Sequence, residues 1–135
     1  MKSRDGLIRL KRFQVDEKRR QVAQIESMIA EFERMAAELN DQVAAEQTRS
    51  GINDVSHFAY PPLAKAAMQR RDNLLASANE LREQLAAVRE QYEEVMRELE
   101  KQEAIAERDH ERHGEAAGAN PPEAVGRGRA SAYIR

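Results

Sequence analysis

GINDVSHFAYPP, residues 51–62, separates two long helix-forming stretches in this 135-residue chain. The segment joins a glycine, two side chains that favour turns and a double proline. Gly51 suits the left-handed position that follows a helix, and Ile52 can fold back onto the last helical turn. Pro61 or Pro62 can occupy the first turn of the next helix, where no backbone donor is needed. The segment therefore predicts a helix stop, a turn and a new helix.

Before this turn, apolar residues recur with a seven-residue period. The first position of the repeat, a, holds Ile8, Val15, Val22, Ile29, Ala36 and Val43, and the fourth, d, holds Lys11, Lys18, Ile25, Phe32, Leu39 and Glu46. Such a repeat lines one side of a helix and is typical of a coiled coil. Since Ser3 can cap free backbone N–H groups, we predict a first helix over residues 3–50.

After the turn, the apolar spacing alternates between four and three residues. The positions are Leu74, Ala78, Leu81, Leu85, Val88, Tyr92, Val95 and Leu99. A mean period of 3.5 residues winds two helices around each other in a left-handed supercoil. The pattern fades through Gln102 and Ala106, so we predict a second helix over residues 62–110.

These elements predict an all-α chain, a long antiparallel two-helix coiled coil (an α-hairpin) over residues 1–110 with its turn at 51–61. Residues 111–135 contain several glycines and a second double proline, and we predict a disordered tail there. The alternative is a parallel dimer of continuous helices. That arrangement needs residues 51–62 to be helical, which the two prolines oppose.

Composition narrows the class of protein. Charged residues make up 34% of the chain and aromatic residues only 4%, a balance typical of long helices and coiled coils. No apolar run approaches the ~20 residues that span a bilayer, and no secretory signal is evident. The basic residues concentrate near the N-terminus instead of forming the sustained stripe of a nucleic-acid binder. We expect a cytoplasmic protein that does not bind nucleic acid.

Catalytic and metal-binding patterns are weak. His110 and His113 have carboxylates nearby, but one helical turn supplies no third ligand in fixed geometry. No carboxylate pair is forced into a pocket, and the glycines do not form a phosphate loop. We therefore expect no enzymatic activity, no catalytic residue, no cofactor and no metal.

The base of the hairpin is a candidate partner-binding site. Leu10 and Phe13 occupy positions c and f of the repeat, which face away from the helical partner, and Arg9 and Arg12 lie beside them. An apolar pair in a basic setting fits an acidic-rimmed groove on another protein. The alternative is that they are scattered exposed apolar residues, which are normal.

The seam at this end is polar. Lys11 and Lys18 occupy position d, and we expect Gln102 and Glu103 to lie opposite. A charged seam closes less tightly than an apolar one.

The turn is the second candidate site. Phe58 and Tyr60 are two of the six aromatic residues, and both lie between the helices. They can plug the end of the hairpin, bind a partner, or do both if one face of the plug remains open.

Two segments resemble the FliJ proteins of bacterial flagella. LIRLKRFQVDEKRRQ, residues 7–21, is similar to the N-terminal segment of that family. HFAYPPLAKAAMQRR, residues 57–71, followed by a second long helix, is similar too. The resemblance covers roughly residues 1–110, and the tail departs from the all-helical ending of the family.

The resemblance implies a non-catalytic component of the flagellar type III export apparatus, needed for flagellum biogenesis and motility. It implies binding to the export ATPase and to the cytoplasmic domain of the export-gate membrane protein, and a role in recycling export chaperones. The chain would then be cytoplasmic, and peripheral to the inner membrane at the flagellar base through its partners. The candidate contacts are Arg9, Leu10, Arg12, Phe13, Phe58 and Tyr60. The alternative function is a coiled-coil scaffold or chaperone unrelated to flagella.

Overall fold

Two long helices make up the fold. A computed structural model describes residues 2–119, with side chains described for residues 3–114. Helix α1 spans Lys2–Ser50 and helix α2 spans Pro62–Ala119, and this part of the chain contains no strand. The predicted all-α class and the predicted break between the helices are confirmed.

The first helix ends as its sequence predicts. Gly51 has a φ of 76°, in the left-handed region, and its N–H donates to the Gln47 carbonyl at 2.8 Å. The Ile52 N–H donates to the Ser50 hydroxyl at 3.2 Å. These bonds satisfy groups that a helix end would otherwise leave free. Ile52 then packs against Val43 and its buried neighbours, so the predicted fold-back is confirmed.

The packing divides into two units. Unit 1 contains residues up to Val15 together with the described residues from Glu94 onward, and unit 2 is the continuous segment Asp16–Glu93. Both helices contribute to both units.

Unit 2 is an antiparallel hairpin with an apolar seam. Near the turn, Val43 of α1 is buried with Tyr60, Ala64 and Ala67. Further from the turn, a second cluster contains Ile29 of α1 with Leu81 and Leu85 of α2. Later residues of α1 thus meet earlier residues of α2. The predicted a positions in this unit, Val22, Ile29, Ala36 and Val43, are all buried or partly buried.

One edge of the unit 2 seam carries ion pairs between the helices. Arg89 contacts Glu26 at 2.5 Å, and Arg82 contacts Glu33 one heptad away. All four side chains are about half exposed, so each pair contributes little, about 0–1 kcal/mol. The apolar seam, not these pairs, holds unit 2 together.

Unit 1 is also antiparallel, with a thinner apolar seam. Ile8 and Val15 of α1 and Leu99 of α2 are buried. Between them, Lys11 reaches across to Glu98 with an N–O distance of 2.5 Å. The predicted polar character of this seam is confirmed.

The structure corrects the predicted end of α2. The helix continues to Ala119, whereas the repeat predicted an end at residue 110 and disorder from residue 111. Gly114 lies inside the helix, where glycine costs about 1 kcal/mol relative to alanine without forcing a break. The surrounding Glu115, Ala116 and Ala117 are good helix formers, which explains the continuation. The rest of the predicted tail, residues 120–135, lies outside the described residues.

Neither helix contains, within the described residues, a window long and apolar enough to cross a membrane.

Two glycine substitutions test the helix stop. Gly51→Ala should lower the free energy of unfolding by about 1–2 kcal/mol, because a Cβ opposes the left-handed conformation. Gly6→Ala, at a helical position with open space around it, should raise the free energy by roughly 0.5–1 kcal/mol. Urea unfolding followed by circular dichroism measures both. Effects of the same sign would contradict the assigned backbone at Gly51.

Candidate partner-binding site

The outer face of α1 in unit 1 exposes an apolar pair. Leu10 is 50% exposed and Phe13 is 55% exposed. They lie three residues apart, so their side chains are neighbours on the helix surface. Gly6, one turn before Leu10, has no side chain, and a Cβ added to it would meet nothing within 4 Å. The predicted exposure is confirmed, and a partner can approach the helix surface closely here.

The two arginines beside this pair differ in their contacts. Arg12 donates from Nε and Nη2 to one Glu103 oxygen, at 3.3 and 2.8 Å. Arg9 is exposed and forms no ion pair with any described residue. Arg9 is therefore available to an acidic group of a partner, whereas Arg12 already contacts Glu103.

The cross-helix pairing differs from the predicted pairing in detail. Lys11 faces Glu98, and Lys18 donates to the Gln91 side chain at 2.8 Å. The two residues predicted opposite these lysines pair elsewhere: Gln102 accepts a hydrogen bond from Arg4 at 2.9 Å, and Glu103 pairs with Arg12. Gln102 and Glu103 therefore face arginines of α1 and not the two seam lysines.

Tyr60 plugs the turn and is not an exposed contact residue. It is 6% exposed and belongs to the buried cluster with Val43, Ala64 and Ala67. Its hydroxyl oxygen accepts from Gln47 Nε2 at 3.0 Å. Tyr60 lies four residues before Ala64, so it continues the seam spacing back past the start of α2. The partner-binding role predicted for it does not fit this burial.

Phe58 has the opposite environment. It is 97% exposed, and its ring stacks on that of His57 with centroids 4.8 Å apart and planes 20° from parallel. An aromatic side chain this exposed gains apolar burial on contact with another molecule. The predicted plug role is therefore wrong for Phe58, and its role as a partner contact stays a prediction.

Hydrogen bonds fix the loop that carries Phe58. One Asp54 carboxylate oxygen accepts from the Ser56 N–H at 3.0 Å and from the Ser56 hydroxyl at 2.7 Å. These bonds, the hydroxyl first, lower the pKa of the Asp54 carboxyl. His57 Nδ1 accepts from the Ala59 N–H at 2.9 Å, which leaves the ring proton on Nε2 in the neutral form. Phe58 thus lies between His57 and Ala59, which a hydrogen bond holds in place. Binding of a partner to Phe58 would therefore cost the loop little conformational entropy.

Two further apolar residues near the turn are exposed. Leu63 is 57% exposed and Val55 is 39% exposed. Leu63 immediately precedes the seam residue Ala64 and so lies off the seam stripe. That offset was the signal available in the sequence for Leu63, whereas nothing in the spacing separates Val55 from the partly buried Ile52.

The Leu10–Phe13 face and the Phe58 loop have side chains suited to binding another molecule. They present apolar groups, a free guanidinium and a fixed loop, which suit binding to another macromolecule. Among the described residues, no three His, Cys, Asp or Glu side chains are placed to hold a metal ion.

Comparison with protein-family models, with curated proteins and with solved structures finds no match to this chain.

A pair of aromatic substitutions tests the assignment of plug and exposed residue. Tyr60→Ala should lower the free energy of unfolding by roughly 3–5 kcal/mol, the range for removing a large buried aromatic. Phe58→Ala should change it by less than about 0.5 kcal/mol, as for an exposed residue. Thermal and urea unfolding of both variants make the comparison. Equal losses at the two positions would refute the assignment.

Proposed function

We propose that this chain is a non-catalytic adaptor of the flagellar type III export apparatus. It binds the export ATPase and the cytoplasmic domain of the export-gate membrane protein, and takes part in recycling export chaperones. It acts in the cytoplasm and reaches the inner membrane at the flagellar base through these partners.

The observation that carries the proposal is the exposure of Leu10 and Phe13. Both lie within residues 7–21, the segment that resembles the FliJ family. An exposed apolar pair inside the most family-like segment supports a role in binding the ATPase. The antiparallel pairing of α1 and α2 agrees with the coiled coil that the resemblance implies.

The binding mechanism follows from the side chains. Leu10 and Phe13 act as apolar anchors, and burial of such anchors supplies most of the affinity of an interface. Arg9 and Arg12 attract a partner with an acidic rim and increase the rate of encounter. Arg12 exchanges its exposed contact with Glu103 for one with the partner at little cost.

Phe58 provides a second contact in a different part of the chain. Its fixed loop presents the ring without a large ordering cost. We assign this contact to the gate domain, so that the ATPase and the gate use separate residues.

Substitution of the apolar pair tests the ATPase contact. Leu10→Asp combined with Phe13→Asp should weaken capture of the ATPase by at least roughly 10-fold, since each anchor contributes on the order of 1 kcal/mol or more. Circular dichroism should show little loss of helix, because both residues are half exposed in the free chain. Leu75→Asp, at an apolar residue that is 40% exposed in unit 2, is the matched control. Wild-type binding by the double variant would remove the site assignment.

Deletion of the gene tests the flagellar role itself. We expect a strain with few flagella and poor motility, restored by the wild-type chain and not by the double variant. A fully motile strain with normal flagella would instead favour the alternative, a coiled-coil scaffold or chaperone unrelated to flagella. In that case the partners of the chain would be identified by affinity capture from native cytoplasm followed by mass spectrometry.

A further inference from the structure

The two helices of unit 1 carry opposite charge where they face each other. From Arg4 to Arg12, α1 has four basic side chains and one acidic one, Asp5. The segment of α2 from Glu94 to Glu111 is rich in carboxylates. Three cross-helix contacts join the two: Lys11 to Glu98 at 2.5 Å, Arg12 to Glu103 at 2.8 Å, and Arg4 to Asp109 at 3.6 Å.

Unit 1 is the smaller unit, and its apolar core consists of few side chains. Among the described residues, three apolar side chains are buried in unit 1 and nine in unit 2. In unit 1, Lys11 occupies a seam position and its side chain is 21% exposed. Nε of Arg4 is buried but lies 3.6 Å from the Asp109 carboxylate, too far for a hydrogen bond. This ion pair is therefore weaker than one that includes a hydrogen bond.

We propose that unit 1 is an ion-pair clasp, which opens while unit 2 stays closed and then binds an acidic amphipathic helix of a partner through the inner face of α1. That face consists of Arg4, Ile8, Lys11 and Val15. The clasp adds to the proposed function the chemistry of the partner that binds unit 1. It depends on the proposed function only for the identity of that partner.

The acidic end of α2 shows what such a partner helix looks like. It presents Glu98 to Lys11 and Glu103 to Arg12, with the apolar Leu99 between them. A partner helix with carboxylates and leucine at the same spacing makes the same contacts. Because α2 already occupies the inner face, the free chain keeps it covered, and a partner binds by displacing α2.

Salt should shift the clasp toward its open form. Contacts between partly exposed charges weaken as the Debye length shortens, from about 10 Å at 0.1 M salt to about 3 Å at 1 M. The seam of unit 2 is mainly apolar, and its Lys18 contacts the uncharged Gln91, so screening weakens it less. A salt-induced opening confined to unit 1 is therefore the signature of the clasp.

Distances between spin labels measure this opening in the full chain. The chain has no cysteine, so two introduced cysteines are labelled uniquely. Gly6→Cys with Ala104→Cys reports on unit 1, and Ser27→Cys with Ala87→Cys is the control in unit 2. All four sites are exposed and uncharged, so labelling leaves the ion pairs intact.

In unit 1 we expect a second, longer distance between the labels. Its population should increase at least two-fold, roughly, as NaCl is raised ten-fold. The unit 2 distance should stay single. Lys11→Leu with Glu98→Leu should hold unit 1 closed at both salt concentrations, and the swap Lys11→Glu with Glu98→Lys should keep the salt response. A salt-independent unit 1 distance, or equal opening of unit 2, would overturn the clasp.

A synthetic peptide of residues 94–114 tests the partner chemistry. Added to the labelled chain at low salt, it should increase the longer distance. A matched peptide with Glu98→Gln, Glu103→Gln and Asp109→Asn should have several-fold less effect. Equal effects of the two peptides, or none from either, would refute recognition of an acidic helix. No flagellar protein is present, so the result stands even if the Leu10 and Phe13 variant binds the ATPase normally.

Discussion

The narrow apolar seam between α1 and α2 is the constraint on which the rest of the structure depends. A two-helix pair has no second layer, so only residues at the seam positions can be buried. In unit 2 these positions are filled by side chains such as Ile29, Val43, Leu81 and Leu85. In the described part of the chain most other side chains are exposed, which agrees with its high charge and leaves apolar residues off the seam available for contact.

The two units differ in how far their closure depends on charged side chains. In unit 2 the ion pairs lie beside an apolar seam and add little to it. In unit 1 the Lys11–Glu98 pair stands within the seam itself. Closure there depends on ionic strength and on competing charges, so one pair of continuous helices combines a firmly closed segment with one that can respond to its surroundings. That difference agrees with an adaptor that binds and releases partners at its basic end.

The periodic features of the fold were predictable from sequence, and the local ones were not. Heptad spacing identified both helices, and Gly51 identified the stop, because seam burial and left-handed backbone restrict residue type strongly. The outward positions of Leu10 and Phe13 followed from the same period. Phe58 and Tyr60 were not separated, because the seam spacing was read only from Leu74 onward. Extended back through Ala67 and Ala64 it reaches Tyr60, and the hydrogen bond from Gln47 and the burial against Val43 place Tyr60 in the seam. The end of α2 was also missed, because helix-forming alanines outweighed Gly114.

The single turn at residues 51–61 also has a kinetic consequence. The hydrogen bond from Gln47 to Tyr60 joins residues 13 positions apart, whereas the bond from Arg4 to Gln102 joins residues 98 positions apart. Loop-closure entropy rises with separation, so contacts next to the turn are the least costly to form first. Each new pair shortens the loop that the next pair must close. We therefore expect the chain to zip from the turn outward, with the charged end joining last during refolding.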